Sequence, residues 1–111
     1  MLSVIVSLSP EGCLERLDAT GHAGSTPRGA NVACAAATAL LRTAAELMHS
    51  RPGVRCDADA PAPGELRLAV SLIPRESVEW ARGVTDFVIQ GCRRIQAEVP
   101  AALAVQIVKR G

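Results

Sequence analysis

Three segments of this chain alternate apolar side chains with a period of two, and that alternation commits the chain to a sheet with one buried face. Leu2, Val4, Val6 and Leu8 alternate with Ser3, Ile5 and Ser7. Leu66, Leu68, Val70 and Leu72 alternate with Arg67, Ala69 and Ser71. Ala104 to Arg110 alternates again, with Val105 and Ile107 on one side. Successive side chains of a strand point to opposite faces, so this period reads as strand. The first strand covers Leu2 to Ser9. Pro10-Glu11-Gly12 is a turn signal, and Cys13 to Thr20 returns as the second strand of a hairpin. Val54 to Ala58 is a short further strand. Ala60-Pro61-Ala62-Pro63-Gly64 then makes a turn before the strand that ends at Leu72.

Two segments change to a helical period. From about Asn31 to His49 the chain is rich in Ala and Leu, both good helix formers. Asn31 is placed as its N-cap, where a side-chain oxygen accepts a backbone N–H of the first turn. Leu40, Ala44, Leu47 and Met48 recur at helical spacing and are expected to face the core. Arg51-Pro52-Gly53 ends the helix. Pro74 opens a second helix that runs to about Glu98, with Trp80, Val84, Phe87, Val88, Gly91 and Ile95 as its apolar stripe; Pro100 lies beyond its end. The order is ββαββαβ. It predicts an α+β two-layer sandwich, a mixed sheet with two helices on one face, forming a single domain over residues 1–111. Strand order does not follow from the pattern.

Composition narrows the function. The chain has 111 residues and a formal net charge of +1. Phe87 and Trp80 are its only aromatic residues, so the core is aliphatic. Neither a basic footprint nor a stacking platform is present, which argues against direct nucleic-acid binding. No run is long enough for a transmembrane helix, and Leu2 to Leu8 lacks a basic leader and a cleavage pattern. The expectation is a soluble cytoplasmic protein without membrane association. Cys13, Cys34, Cys56 and Cys92 are widely spaced, without a C-x-x-C pair. In that setting free thiols are expected rather than disulfides. Structural zinc sites draw on closely spaced ligands, and this chain has only two histidines, so no metal or other cofactor is expected.

The chemistry gathers around Gly21 to Ala30, a glycine-rich segment read as a mobile loop. His22 stands at its start, directly after a strand. Cys34 stands just past its end, at the third helical position if Asn31 is the cap. A thiolate is the nucleophilic form of cysteine, and a helix N-terminus favours it. A nearby imidazole can take the thiol proton and return it to a leaving amine. Backbone N–H groups at the same helix end can hold an oxyanion. The plainer alternatives are that Cys34 is a small core residue of an Ala-rich helix and that His22 is an ordinary loop histidine. Cys13, Cys56 and Cys92 are read as structural. His49, at a helix C-terminus, is read as a capping side chain.

The flanking residues resemble a known pattern. Gly21-His22-Ala23-Gly24, followed by Gly29-Ala30-Asn31-Val32-Ala33-Cys34-Ala35-Ala36, is similar to the signature of the ribosomal-processing cysteine protease Prp family. There a G-H-A-G motif precedes a G-x-D-x-x-C-A-A helix start. The resemblance implies a homodimeric α+β cysteine protease. Its catalytic pair falls on Cys34 and His22. Its substrate would be a large-subunit ribosomal protein precursor that loses an N-terminal extension. It implies that the loop closes over the peptide, with Gly21, Gly24 and Gly29 in that substrate loop. The family serine one turn after the cysteine falls on Thr38, which keeps a hydroxyl on the same helix face. The family aspartate falls on Asn31, which can cap a helix or orient an imidazole but cannot stabilise an imidazolium by charge. Ser25-Thr26 stands where relatives often carry a bulkier residue.

Two other readings remain at this level. One is a ribosome-associated binding or assembly protein of the same fold with weak or no protease activity, motivated by Asn31. The other is a thiol redox or metal-binding module, which lacks a second cysteine near Cys34 in sequence.

Overall fold

The computed structural model describes residues 1–21, 28–61 and 65–110. Five strands are formed: β1 (Leu2–Leu8), β2 (Leu14–Gly21), β3 (Arg55–Asp59), β4 (Glu65–Leu72) and β5 (Leu103–Lys109). Helix α1 (Arg28–Ser50) follows β2, and α2 (Val78–Glu98) follows β4. The ββαββαβ order and the α+β class are those the periodicity predicts. The sheet runs β3-β4-β2-β1-β5. β1 and β5 are parallel, and the other neighbours are antiparallel. The sheet is therefore mixed.

The alternation decides which face is covered. Leu2, Val4 and Val6 are buried, while Ser3 and Ile5 between them are exposed. The register sets Val4 beside Ala19 and Val6 beside Leu17. It sets Leu17 in turn beside Leu68. These residues make one continuous apolar surface under both helices, and the opposite face is open to solvent. The tight return from β1 to β2 depends on Gly12, whose φ of 83° is rarely adopted by residues with a Cβ. Its N–H donates to the Ser9 carbonyl at 2.9 Å.

Ala44, Met48 and Val88 are buried as their spacing predicts, but the rest of each expected stripe is turned away from the sheet. In α1 the buried residues are Ala33, Ala37, Leu41, Ala44, Ala45 and Met48, whereas Leu47 is exposed. In α2 they are Ala81, Thr85, Val88 and Cys92. Phe87 is 70% exposed. The cause is that each helix has more than one run of apolar residues at helical spacing. Small side chains, chiefly Ala, allow close approach to the sheet. The larger Leu40, Leu47, Trp80, Val84 and Phe87 are left on a second surface. That surface forms an open apolar groove of about 500 Å³ between the helices.

Thr85 is the polar exception in the core. Its Oγ1 accepts from the Leu14 N–H at 2.8 Å and donates to the Ala81 carbonyl at 2.7 Å. A Val would leave the Leu14 donor unpaired. The second helix also begins later than Pro74. A single 3-10 turn (Arg75–Ser77) intervenes, closed by the Ser77 N–H donating to the Pro74 carbonyl at 2.9 Å. Arg51 braces that junction. Its Nε donates to Ser77 Oγ at 3.1 Å, and its guanidinium lies 4.8 Å from the Trp80 ring centre.

Candidate active site

The glycine-rich segment is shorter than its composition suggests, because regular structure enters it from both ends. Gly21 is the last residue of β2, and α1 begins at Arg28. Arg28 and Ala30 are strong helix formers, and a single Gly29 costs only about 1 kcal/mol relative to Ala. Asn31 is therefore inside the first turn of α1 and is not its N-cap. Gly29 is likewise a helical residue. His22 and Gly24 lie outside the described residues, as does the side chain of Asn31.

The earlier helix start changes the setting of Cys34. It is the seventh residue of α1, not the third. The helix dipole acts chiefly within the first turn. The orphan N–H groups of that turn also precede Cys34. Its own N–H belongs to the helical ladder, so it is not free to hold an oxyanion. The helix terminus thus contributes less to a Cys34 thiolate than a start at Asn31 would give.

Packing holds the Cys34 backbone firmly. Ala33 and Ala37, on either side of it in α1, are buried against the sheet. Thr38 Oγ1 donates to the Cys34 carbonyl at 2.8 Å. The hydroxyl that shares a helix face with Cys34 is thus engaged with the backbone. Cys34 itself is half-buried. Its Sγ lies 3.1 Å from the Ala102 carbonyl oxygen, with the thiol as donor.

Ala102 connects this thiol to the end of β2. The Ala102 carbonyl also accepts the Leu2 N–H at 2.8 Å. Leu2 is the register partner of Gly21. A Cβ on Gly21 would lie 2.9 Å from Leu2 Cδ1 and 3.0 Å from Leu2 Cα. Only a residue without a side chain fits there without a shift of β1. His22 follows Gly21 in sequence. The end of β2, the start of β1, the turn before β5 and the second turn of α1 therefore meet at one end of the sheet. The backbone groups of Leu2 and Ala102 carry no sequence signal and are invisible to motif reading. Gly21 was legible only as part of a motif, not as a packing requirement.

A small depression of about 50 Å³ opens at this same end, between Leu2, Ala19, Thr38, Leu41, Arg42, Glu65 and Leu66. Its floor is apolar and its rim carries both charge signs. A polar pocket of about 220 Å³ lies at the opposite end, beside Cys13 and Arg110.

The other three thiols are poorly suited to ionise. Burial pushes Cys92 up to about 11. Burial also raises Cys13, with Arg82 opposing the rise. Burial, helped by the Asp57 carboxylate, raises Cys56. Cys13 donates to the Val78 carbonyl at 3.5 Å, and Cys56 Sγ lies 4.0 Å from His49 Nδ1. His49 is in the last turn of α1, where its sequence position put it. All four cysteines are free thiols. Among the described residues, no three His, Cys, Asp or Glu side chains gather as a metal site. No described helix is long and apolar enough to cross a membrane.

The family profile of the cysteine protease Prp matches residues 1–104. The chain belongs to the Prp family. Solved structures agree in fold. A protein from Streptococcus mutans, SMU.848, superposes with a TM-score of 0.80 at 20% identity, covering 99% of this chain and 96% of that one. The essential ribosomal processing protease Prp of Staphylococcus aureus, in complex with a substrate peptide, superposes with a TM-score of 0.79 at 17% identity, covering 96% of this chain and 99% of that one. The same protease with a covalently linked product peptide gives a TM-score of 0.76 at 18% identity, with the same coverage. No curated protein matches the chain in sequence. At these identities the superpositions establish the fold. The family assignment rests on the match over residues 1–104 and accords with the paired motifs around His22 and Cys34.

Proposed function

We propose that this chain is a cysteine endopeptidase, a single protease domain over residues 1–111, that removes an N-terminal extension from a large-subunit ribosomal protein precursor. The observation that carries the reading is the position of Cys34. By the resemblance of Gly29 to Ala36 to the family motif it falls on the family's cysteine, in a chain matched by the Prp family over residues 1–104. It is half-buried and tied through Ala102 and Leu2 to the strand end that precedes His22. The related Prp of S. aureus has been solved with a substrate peptide, which supports a peptide as the ligand class.

In this reading His22 takes the proton from Cys34 Sγ, and the thiolate attacks the scissile carbonyl carbon. The tetrahedral intermediate collapses as His22 gives that proton to the departing amine, leaving a thioester on Cys34. Water, deprotonated by His22, then attacks the thioester, and the thiolate leaves with the proton restored. No cofactor or metal is required. Asn31 and Thr38 act as support, Asn31 by orienting the imidazole and Thr38 by fixing the Cys34 backbone. The segment between Gly21 and Gly29, which contains Gly24, closes over the peptide.

The protein works in the cytoplasm as a homodimer that contacts its ribosomal protein substrate without binding nucleic acid directly. The groove between α1 and α2 supports self-association, because Phe87 and Leu47 are exposed beside it.

The test is cleavage of a peptide spanning the extension of the ribosomal protein, followed by mass spectrometry. The proposal expects one internal cleavage, lost in Cys34→Ala and in His22→Ala. Absence of cleavage by the intact protein, with Cys34 inert to iodoacetamide near neutral pH, would overturn it.

Asn31 in place of the family aspartate favours one second reading, a ribosome-associated binding or assembly protein of the same fold. It expects Cys34→Ala to bind the ribosomal protein as well as the parent does and to leave no precursor in cells. Accumulation of uncleaved precursor in a Cys34→Ala strain rejects it.

A further inference from the structure

The Cys34 thiol has a partner that the proposed mechanism does not use. Its Sγ donates to the Ala102 carbonyl at 3.1 Å. Only the protonated thiol can make that bond, because a thiolate has no proton to give. A thiolate in the same place would face the negative end of a carbonyl dipole.

Both partners are held. The Ala102 carbonyl is fixed by the Leu2 N–H at 2.8 Å, and the Ala102 N–H donates to the Val99 carbonyl at 3.0 Å. The Val99 N–H donates in turn to the Ile95 carbonyl at 2.8 Å, which closes α2. Ala102 is fully buried, so water does not compete with the thiol for its carbonyl. On the other side, Thr38 and the α1 ladder hold the Cys34 backbone. The sulfur can leave the carbonyl by turning about its own Cα–Cβ bond, without displacing either backbone.

We propose that Ala102 is a positioning residue for Cys34, whose carbonyl holds the nucleophile as a protonated, inward-turned thiol in the free protein. The inference rests on reading Cys34 as the nucleophile. Loss of the Sγ proton to the base removes the hydrogen bond that holds the sulfur against Ala102. The free thiolate then turns to the substrate carbonyl, so proton transfer and presentation of the nucleophile are one event. The free protein keeps its thiol capped, and the Ala102 carbonyl, remote from the motif in sequence, becomes part of the active site.

The S–H stretch of Cys34, read in the infrared as the difference between the parent chain and Cys34→Ala in mildly acidic buffer without peptide, tests this. The band is expected at lower frequency than the same thiol in the unfolded chain. Replacing the Ala102–Leu103 amide by an ester, with leucic acid at 103, weakens the Ala102 carbonyl as an acceptor. The band should then move toward the unfolded position. Iodoacetamide should modify Cys34 about two- to tenfold faster, the range set by one neutral hydrogen bond. The equivalent ester at Val105 should change neither. A native band at the unfolded frequency, or one that the ester at 103 leaves in place, overturns the proposal. Because the band is read without substrate, its failure is distinct from a failure to cleave peptide.

Discussion

The hydroxyl of Thr38 donates to the carbonyl of Cys34 at 2.8 Å, one turn back along α1. That bond uses the hydroxyl's only proton on the helix backbone. Thr38 therefore stabilises the placement of Cys34 without reaching toward a substrate. Thr38→Val keeps the shape and removes only this bond. The expected cost in stability is below about 1 kcal/mol. The expected change in kcat/KM is less than tenfold, since tenfold already corresponds to about 1.4 kcal/mol. Peptide-cleavage kinetics on the variant check this. A loss of several hundredfold in kcat, with KM unchanged, would mean that the hydroxyl acts on the reacting atoms.

Gly21 carries a different constraint, imposed by the close approach of β1. A Cβ there would meet Leu2 Cα at 3.0 Å and the Met1 carbonyl oxygen at 3.3 Å. Backbone cannot yield as a flexible side chain can. Gly21→Ala should destabilise the fold by about 1–3 kcal/mol, the usual cost of overpacking. Denaturant unfolding measures this. Because Leu2 shares the Ala102 carbonyl with Cys34, activity should fall more than the population of folded protein does.

Cys92 links stability to alkaline pH. Its thiol is raised from the ordinary value of 9.0 to about 11 by burial in the core. The folded state therefore holds the proton more tightly than the unfolded state. This contribution is complete below about pH 9 and is lost as pH rises toward about 11. The melting temperature should fall across that window, and Cys92→Ala should fall less steeply. Parallel slopes for the two proteins would show that Cys92 does not ionise on unfolding.

The outer helical groove predicts the effect of Phe87. This side chain is 70% exposed in a single protomer, unusual for the only phenylalanine of the chain. Large aromatic side chains commonly anchor interfaces. Phe87→Asp should convert the sedimenting species from dimer to monomer while circular dichroism stays unchanged. A parent protein that sediments as a monomer at micromolar concentration would remove the homodimer from the account.

The strands were legible because their alternation survives folding directly: Leu2, Val4 and Val6 are buried, as their spacing requires. The helices were legible in extent but not in rotation. Leu47 and Phe87 look like core residues by hydrophobicity, yet Ala45, Ala81 and Thr85 take the inner face because small side chains allow the helices to approach the sheet. Thr85 was missed because a threonine serves the core only when its hydroxyl meets a specific backbone donor, here Leu14. The start of α1 is not legible in the same way, since Asn31 resembles a cap while Arg28 and Ala30 extend the helix ahead of it. Cys34 was identified from its flanking motif, whereas its contact with Ala102 joins residues 68 positions apart through a backbone carbonyl. No local pattern encodes such a contact.

The central claim is that Cys34 cleaves a ribosomal protein precursor, and the most direct measurement is the N-terminus of that ribosomal protein in cells. Intact-mass analysis of ribosomes from cells relying on the parent chain should give a protein that lacks its encoded N-terminal segment. Cells relying on Cys34→Ala should give the full encoded length. The same N-terminus in both would contradict the account.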